Sequence, residues 1–452
     1  MGSVIGQNTV IKQWRYKITK LTLKWSGSGN VEIEPYKVKM VQIIEDYENN
    51  VFPIVRLSVV LEPSMYYKIL KQKKEVSVTF KMVKFYKKSK RSAYEAEGSE
   101  HGFSEYISDV FRLVMNDDTA DLLNAQKQAN NKNDYKRSIR DDINDLQQSD
   151  NTVEFYMFKS SSLDASKAQT ANAILKNCKS IADPIAYLFS SRKEFAGKVL
   201  MAPPDNRPKE LPELILIPPL STLKAFLYLD TYYGIYKTGS MIYFGLEYIY
   251  IIPYSSKSCS AYKNGETQQI QIVVPKTDDV KDVTILGEIS GSDSKYRVIA
   301  DYRSVDIQNM SIPNNYIEAN DAQVVDAYTG ETSNYHSGAE ANDSGNFTRL
   351  LENKTENPFI GSTYTAQSSS NSIVVKCILQ DIDSRYITPN KRYTFHFEDS
   401  KFVEKYKGDY IITNAIHTFT NTGGATTLTS KNDNGIGAMN ISVELTLKKT
   451  NF

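Results

Sequence analysis

The sequence predicts a mainly β fold of the α+β class, in which two small β-barrel regions flank a mixed α/β middle region. Apolar and polar residues alternate with a period of two over residues 11–88 and again over residues 372–449. Such alternation is typical of strands that bury one face. Between these regions, residues 214–253 combine apolar strand-like runs with one helical period. The chain has 452 residues, which is long enough for several hydrophobic cores.

The N-terminal region, residues 1–90, is predicted to form the first barrel. Trp14, Tyr16 and Ile18 alternate with polar residues, and the alternation then changes phase to Leu21 and Leu23. A change of phase within one strand predicts a β-bulge or a strong bend.

The lysines between residues 68 and 91 admit two interpretations. They could contact a polyanion such as DNA. The favoured interpretation is that they are solvated and protect an exposed edge strand from pairing with other chains.

The rest of the chain divides into three predicted regions. Residues 91–253 form a mixed α+β middle domain with a polar insertion at 116–150, and a helix is expected over residues 166–178. Residues 254–371 form a β-containing connector with long polar loops, of which 329–371 is expected to be a linker or a loop that is ordered only by a partner. Residues 372–452 form the second barrel, so the two barrels lie at opposite ends of the chain.

The segment 214–253 has the clearest boundary signals. Pro218 and Pro219 end a strand, and Ser221 follows as a helix N-cap. Gly234 stands where this helix must end, in a left-handed conformation that glycine adopts at low cost. The apolar side of the helix is predicted to carry Leu223, Phe226, Leu227 and Tyr233.

A single strand is predicted from Met241 to Ile252, and it is apolar on nearly both faces. Such a strand is covered on both sides, either by its own domain or by another subunit. Tyr248 is expected to be one of its buried rings. The pattern favours an assembly component over a catalytic pocket, and it motivates the prediction of a homo-oligomer.

Composition limits the functional classes. The 54 Lys and Arg balance 53 Asp and Glu, so no global field attracts nucleic acid or anionic lipid. Neither a transmembrane helix nor a signal peptide is predicted. The three cysteines, Cys178, Cys259 and Cys377, are scattered and match no disulfide or metal motif. The 30 tyrosines favour a β-rich core over a role in stacking on ligands.

Candidate chemical residues are few. Asp381 and Asp383 resemble a carboxylate pair for a divalent ion, but they precede Ser384 and Arg385, which favours a turn with an arginine partner. No two histidines have the spacing of metal ligands, so all four are interpreted as structural. These histidines are His101, His336, His396 and His417.

Other candidate motifs are incomplete. Residues 432–435 resemble the start of a calcium loop, but Val443 stands where the closing glutamate is needed, so a hairpin loop is favoured. The Asp pairs at 117–118 and 141–142 are interpreted as solvated. We therefore predict no catalytic, cofactor-binding or metal-ligating residue, and no enzymatic activity. Paired carboxylates for glycoside hydrolysis stay open, because such pairs meet only in the fold.

Two motifs resemble a known family. Residues 218–221 (Pro-Pro-Leu-Ser), residues 230–236 (Asp-Thr-Tyr-Tyr-Gly-Ile-Tyr), Gly239 and the aromatic strand after it resemble the middle domain of baseplate hub proteins of contractile phage tails. Residues 406–417 resemble a strand pair of the tail-tube-like barrel in the same hubs. With the two-barrel outline, the resemblance covers most of the chain.

The resemblance implies a structural, non-enzymatic protein with two tail-tube-like barrels and no cofactor. It implies a homotrimer whose barrels form a pseudo-sixfold ring that adapts the hexameric tail tube to the trimeric central spike. The implied partners are a tail-tube or tube-initiator protein above, the spike below and baseplate wedge proteins, with DNA passing the lumen without specific binding. The implied location is the virion, after assembly in the bacterial cytoplasm, with no membrane anchor.

Two alternatives stay open. One is a carbohydrate-binding adhesin at the tail tip, for which the tyrosine content is the argument. The other is a tail-associated cell-wall hydrolase, for which the sequence offers no motif.

Overall fold

The computed structural model describes a large part of the chain. The described residues are 9–25, 30–62, 65, 69, 76–90, 100–114, 151–190, 198–205, 211–237, 239–253, 269–275, 286–290, 295–309, 321–326, 332–336, 347–352, 357, 359, 373–421 and 438–450.

Twenty-three strands lie in this part of the chain, and fifteen of them belong to one sheet. The strands of the large sheet are β1 (Val10–Lys24), β2 (Asn30–Glu32), β3 (Val38–Asp46), β4 (Ile54–Leu61), β5 (Ser77–Lys90), β6 (His101–Val114), β7 (Asn151–Lys159), β13 (Gln269–Val274), β14 (Gly287–Ile289), β15 (Lys295–Ile299), β16 (Asp306–Asn309), β20 (Ile373–Gln380), β21 (Arg392–Phe397), β22 (Asp409–Asn421) and β23 (Ala438–Thr450).

The other strands form three small sheets. These are β8 (Ala173–Lys176) with β10 (Leu214–Ile217); β9 (Val199–Met201) with β11 (Ser240–Phe244) and β12 (Ile249–Pro253); and β17 (Asp321–Asp326) with β18 (Thr332–His336) and β19 (Phe347–Glu352). The α-helices of the described residues are α1 (Ser160–Lys167), α2 (Ala182–Ser190), α3 (Thr222–Tyr233) and α4 (Ser400–Tyr406).

The large sheet closes on itself. From β1 the pairing runs through β5, β6, β7, β4, β3, β22, β21, β13, β15 and β14, and β14 pairs with β1 again at Ile11 and Ile289. This path is a closed barrel of 11 strands. Strand β23 crosses it, because it pairs with β22 on one edge and contacts β1 at Tyr16 and Met439. Strand β23 therefore divides the barrel into two closed circuits of paired strands. One circuit runs through β1, β5, β6, β7, β4, β3, β22 and β23, and the other runs through β1, β14, β15, β13, β21, β22 and β23. The two circuits share β1, β22 and β23.

The predicted mainly β fold is therefore confirmed, but the strand pairing does not follow the predicted boundaries at residues 90 and 253. Strands β6 and β7 come from the predicted middle domain, yet they pair with β5 and β4. Strand β13 comes from the predicted connector and pairs with β21. The reason is that every buried strand needs hydrogen-bond partners on both edges, which the period of side chains along one strand does not reveal.

The predicted irregularity in the first strand is present. Strand β1 continues from Val10 to Lys24, and its register against β5 shifts between Ile18 and Lys20. The shift moves the buried set from Tyr16 and Ile18 to Leu21 and Leu23. A β-bulge thus keeps apolar side chains inside while the strand bends around the barrel.

Two features of the middle region differ from the predictions. The helix expected over residues 166–178 is wrong, because α1 ends at Lys167 and β8 follows at Ala173–Lys176. Part of the predicted linker 329–371 is also strand, since β18 and β19 pair with β17. The segments 116–150 and 422–437 lie outside the described residues, and with them the polar insertion and the residues that resemble a calcium loop.

The single strand predicted from Met241 to Ile252 is also wrong. Strands β11 and β12 form an antiparallel pair joined by residues 245–248. Tyr243 and Ile251 are buried within this chain, so the apolar faces are covered by their own subunit. Tyr248 lies in the connection and is only half-buried. The apolar pattern was real, but it belongs to a hairpin.

Helix α3 follows its predicted boundaries. The Ser221 hydroxyl accepts a hydrogen bond from the backbone N–H of Lys224 at 3.5 Å, and Gly234 ends the helix with φ of 72°. Phe226 and Tyr233 face the core as predicted, whereas Leu227 is 48% exposed. No helix among the described residues is long and apolar enough to cross a membrane.

Gly234 gives the first testable prediction. A Cβ atom added there would lie 2.2 Å from the Oδ1 atom of Asn357, and φ is positive. Asn357 also donates from Nδ2 to the carbonyl oxygens of Asp230 and Thr231, each at 3.2 Å. We expect Gly234→Val to lower the free energy of unfolding by about 1–3 kcal/mol, measured by urea denaturation.

Leu227→Ala is the matched control, because it changes the exposed side of the same helix. It should change the unfolding free energy by only about 0.5 kcal/mol. Equal stabilities of Gly234→Val and the unchanged chain would contradict the assignment of Gly234 as the required helix end.

Candidate functional site

Three of the sequence candidates, Asp381, Asp383 and His417, meet inside the large sheet. The chain leaves β20 and makes a tight turn, with φ of 55° at Asp381. A short 3-10 turn follows at Ser384–Tyr386, and the Asp383 carboxylate accepts a hydrogen bond from the N–H of Arg385 at 3.1 Å. The predicted turn is present. We call residues 381–386 the interior turn.

Asp381 fixes the interior turn to both ends of the chain. Its carbonyl oxygen accepts from the N–H of Trp14 at 2.9 Å, and its own N–H donates to the carbonyl oxygen of Ile441 at 3.0 Å. Its carboxylate pairs with Arg15 at 2.5 Å. Burial raises the pKa of this carboxyl, and Arg15 opposes that shift. The predicted arginine partner therefore exists, but it comes from β1 and not from the neighbouring Arg385.

Asp383 and Lys84 form a buried ion pair, with side-chain exposures of 3% and 8%. The Lys84 nitrogen also lies 4.8 Å from the centre of the Trp14 ring. The backbone N–H of Asp383 donates to the Tyr296 hydroxyl at 2.9 Å. Burial lowers the pKa of Lys84, and the Asp383 carboxylate opposes the shift. Each charge depends on the other, because an unpaired buried charge is costly.

A second acid, Glu288, lies beside this pair on β14. One carboxylate oxygen accepts from the indole N–H of Trp14 at 2.7 Å, and the other accepts from Lys12 at 2.9 Å. Glu288 is only 8% exposed. These contacts reinforce the pairing of β14 with β1, which closes the barrel.

Ser384 and His417 continue the network in the other direction. The Ser384 hydroxyl lies 2.6 Å from His417 Nδ1, and His417 Nε2 lies 3.1 Å from a Glu45 carboxylate oxygen. The same oxygen accepts from the Tyr47 hydroxyl at 2.6 Å. A serine, a histidine and a carboxylate in this order resemble a hydrolytic triad.

Access and geometry argue against catalysis by this group. Ser384 and His417 are each 2% exposed. The Ser384 hydroxyl also contacts the Tyr106 hydroxyl at 2.7 Å, and its N–H donates to Tyr16 at 2.9 Å. A substrate carbonyl needs an open position beside the nucleophile and free N–H donors to bind its oxygen. Here Tyr106 occupies the position beside the Ser384 hydroxyl, and the Ser384 N–H is already bonded to Tyr16. We therefore interpret His417 as structural, in line with the sequence-based interpretation.

The remaining candidates are dispersed. His101 lies on β6, His336 on β18 and His396 on β21. Among the described residues no three His, Cys, Asp or Glu side chains are placed to hold a metal ion. Cys178 and Cys377 are free thiols, and burial raises the pKa of Cys377 to about 12. Cys259 lies outside the described residues.

Lys84 is the residue that sequence reasoning missed. It was grouped with the exposed lysines of residues 68–91, although it stands in phase with the buried Val78, Phe80 and Met82. A lysine at an inward position of an alternating strand was the available signal. The edge-strand explanation is also wrong for Lys81 and Lys84, since β5 pairs there with β1 on one side and β6 on the other.

The comparison with known families identifies the chain. The sequence pattern of the family described as "Bacteriophage PBS1 gene 109 protein" matches residues 7–449. The chain belongs to this family. The resemblance to a phage protein predicted from the sequence is thereby confirmed. No curated protein matches it significantly.

Solved structures similar to this family member come from phage tails and related systems. One is the tail protein from Neisseria meningitidis MC58, with 7% identity, a TM-score of 0.43, and coverage of 97% of this chain and 96% of that chain. Another is the 43 kDa tail protein of prophage MuSo2 from Shewanella oneidensis, with 8% identity, a TM-score of 0.41, and coverage of 95% and 96%. The E. coli c3393 protein, a component of the type VI secretion system, has 7% identity, a TM-score of 0.35, and coverage of 95% and 77%.

The buried ion pair gives a prediction about stability. Lys84→Met leaves Asp383 buried without its partner, and we expect a loss of about 3–5 kcal/mol in the free energy of unfolding. The double variant K84M/D383N removes both charges and keeps an oxygen for the turn, so it should recover much of this loss.

Lys81→Met is the matched control, because Lys81 is an exposed lysine on the same strand. Urea denaturation of all four proteins measures the effect. If Lys84→Met and Lys81→Met are equally mild, Lys84 does not contribute a buried ion pair.

The buried tyrosines predict sensitivity to alkali. Burial raises the pKa of Tyr410 to about 12. Burial also raises the pKa values of Tyr16, Tyr47, Tyr243, Tyr296 and Tyr393 well above 10.0. Their stabilising contribution is present below the unfolded pKa near 10 and is lost as the pH rises toward the folded values.

The melting temperature should therefore fall steadily above pH 10. Tyrosinate absorbance should appear in two phases, and the second phase should coincide with loss of near-ultraviolet circular dichroism. A complete tyrosine titration with the folded spectrum intact would contradict the burial described here.

Proposed function

We propose that this chain is a structural hub protein of a contractile phage tail baseplate. The observation that carries the proposal is the filled interior of the large sheet. Tyr16, Phe80, Phe111 and Phe419 are fully buried there. The Tyr16 ring lies 4.7 Å from Phe419 and 4.9 Å from Tyr106, measured between ring centres. A barrel packed in this way is a rigid building block and not a container for a ligand.

The filled interior also bears on the DNA path. Because side chains occupy the barrel, DNA would have to pass between subunits and not through one of them. We therefore propose a homotrimer that surrounds the path and adapts a hexameric tail tube to a trimeric spike. The two closed circuits of each subunit would supply the pseudo-sixfold repeat. Shared strands β1, β22 and β23 support this arrangement, since they hold the two circuits together.

The segment from Met241 to Ile252 does not support the proposal of a trimer, because that hairpin is covered within its own chain. The proposal of a trimer rests on the family resemblance and on the filled barrel. The proposed partners are a tail-tube or tube-initiator protein, the central spike and wedge proteins, with DNA passing without specific binding. The proposed location is the virion, with assembly in the bacterial cytoplasm.

We propose that the chain has no enzymatic activity, because the triad-like group found among the described residues is enclosed by Tyr16 and Tyr106. The hydrolase and adhesin alternatives gain no support from the residues that the structure describes.

The oligomeric state tests the hub proposal. Light scattering of the purified chain should give three times the 51.2 kDa of one chain, and images of intact tails should place three copies in a ring below the tube. Tails made without this chain are the control, and the ring should be absent from them. A single copy per assembled tail would rule out the proposed symmetry adaptor.

A further inference from the structure

Four lysines form a cationic strip on the outer face of the large sheet. Lys17, Lys20 and Lys24 lie on β1, and Lys81 lies on β5. Lys20, Lys24 and Lys81 are exposed, and Lys17 is half-buried. None of the four forms an ion pair with another residue in the described part of the chain.

The strip contains an unfavourable arrangement. Lys20 and Lys81 are direct cross-strand partners, so their side chains point to the same side of the sheet. Like charges directly opposite each other destabilise a strand pair. Protection of a sheet edge does not account for Lys81, because β5 is paired there with β1 on one edge and with β6 on the other. An anionic partner would account for the facing pair of lysines, since it would compensate both charges.

Apolar side chains lie beside the strip. Val110 on β6 is 46% exposed, and it is the cross-strand partner of Thr79 on β5. Phe103, also on β6, is 60% exposed, and its ring stacks on Phe85 with centres 5.0 Å apart. Exposed apolar side chains bordered by charges are typical of a protein–protein contact.

Two carboxylates help to define the partner. Glu32 on β2 pairs with Thr22, and Glu105 on β6 pairs with Val83, so an exposed acid lies at each side of the strip. The uniformly negative backbone of duplex DNA would be repelled by both acids and would gain nothing from Val110. A protein surface can oppose the lysines with carboxylates and the two acids with cations.

We infer that the outer face of β1, β5 and β6 is a docking surface for an acidic protein surface. Lys17, Lys20, Lys24 and Lys81 steer the partner by charge, and Val110 and Phe103 supply the apolar contact. This inference does not depend on the hub role, because it concerns the chemistry of one face of the subunit.

Binding to defined polymers tests the inference with the full chain. The probes are fluorescent poly-L-glutamate, a glutamate–tyrosine copolymer and a short DNA duplex, each measured by anisotropy at low and high salt. The copolymer should bind most tightly, because it offers carboxylates together with apolar rings. K20E/K81E should weaken binding of both polypeptides by about tenfold at low salt, and high salt should remove the difference.

Three further variants control the result. K176E/K224E reverses two exposed lysines away from the strip, on β8 and α3, and should leave binding unchanged. K81E alone should keep or raise the melting temperature, because it places opposite charges across β1 and β5. V110S should reduce only the preference for the copolymer over poly-L-glutamate.

The outcomes separate the interpretations. Loss of polypeptide binding in folded K20E/K81E, with the control variant unaffected, supports the acidic protein partner. Tighter binding of the DNA duplex than of either polypeptide, lost in K20E/K81E, would overturn it in favour of a nucleic-acid surface. Equal binding by K20E/K81E and the unchanged chain would show that the strip is not a docking surface.

Discussion

The interior turn, residues 381–386, is the constraint on which the rest of the structure depends. It places the polar backbone of a tight turn inside a closed sheet, where every N–H and C=O group needs a partner. Strands β1 and β23 supply partners from their backbones at Trp14 and Ile441, and the hydroxyls of Tyr16 on β1 and Tyr296 on β15 supply others. The pair of Lys84 and Asp383 gains little net stability over apolar packing, because desolvation offsets the attraction. The ion pair forms only when β5 and the interior turn lie in one relative position, so it helps to define how they pack.

The sequence predicted the features that local chemistry decides. The bulge in β1 follows from a change of phase, and the ends of α3 follow from Ser221 and Gly234. It did not predict which strands pair, because an alternating strand shows its buried face and not its edge partners. Strand β6 illustrates this limit: it lies within the predicted middle domain, residues 91–253, whereas its partner β5 was assigned to the first barrel. Strand β8 was mistaken for a helix, since an apolar run as short as residues 173–175 fits both periods.

The buried network shows the same limit for the site. Asp381, Asp383 and His417 were each noticed, and a turn was expected around the two acids. Their partners, however, lie far away in the sequence: Lys84 is separated from Asp383 by 299 positions and Glu45 from His417 by 372. No local pattern joins such pairs. The sequence did show that Lys84 stands at an inward position of its strand. A lysine at a core position implies a buried counter-charge. The identity of that counter-charge required the fold.

The sharing of β1, β22 and β23 also limits how the subunit can move. Strand β23 pairs with β22 over most of its length, and β22 pairs in turn with β3. One circuit cannot rotate against the other without breaking these ladders and the ion pairs at the interior turn. Packed interiors respond to such stress as units and not by gradual deformation. In the proposed hub, any change that accompanies contraction of the tail must therefore occur at contacts between subunits or with partners. The cationic strip lies on the outside of this rigid unit, so its charges are available without any internal rearrangement.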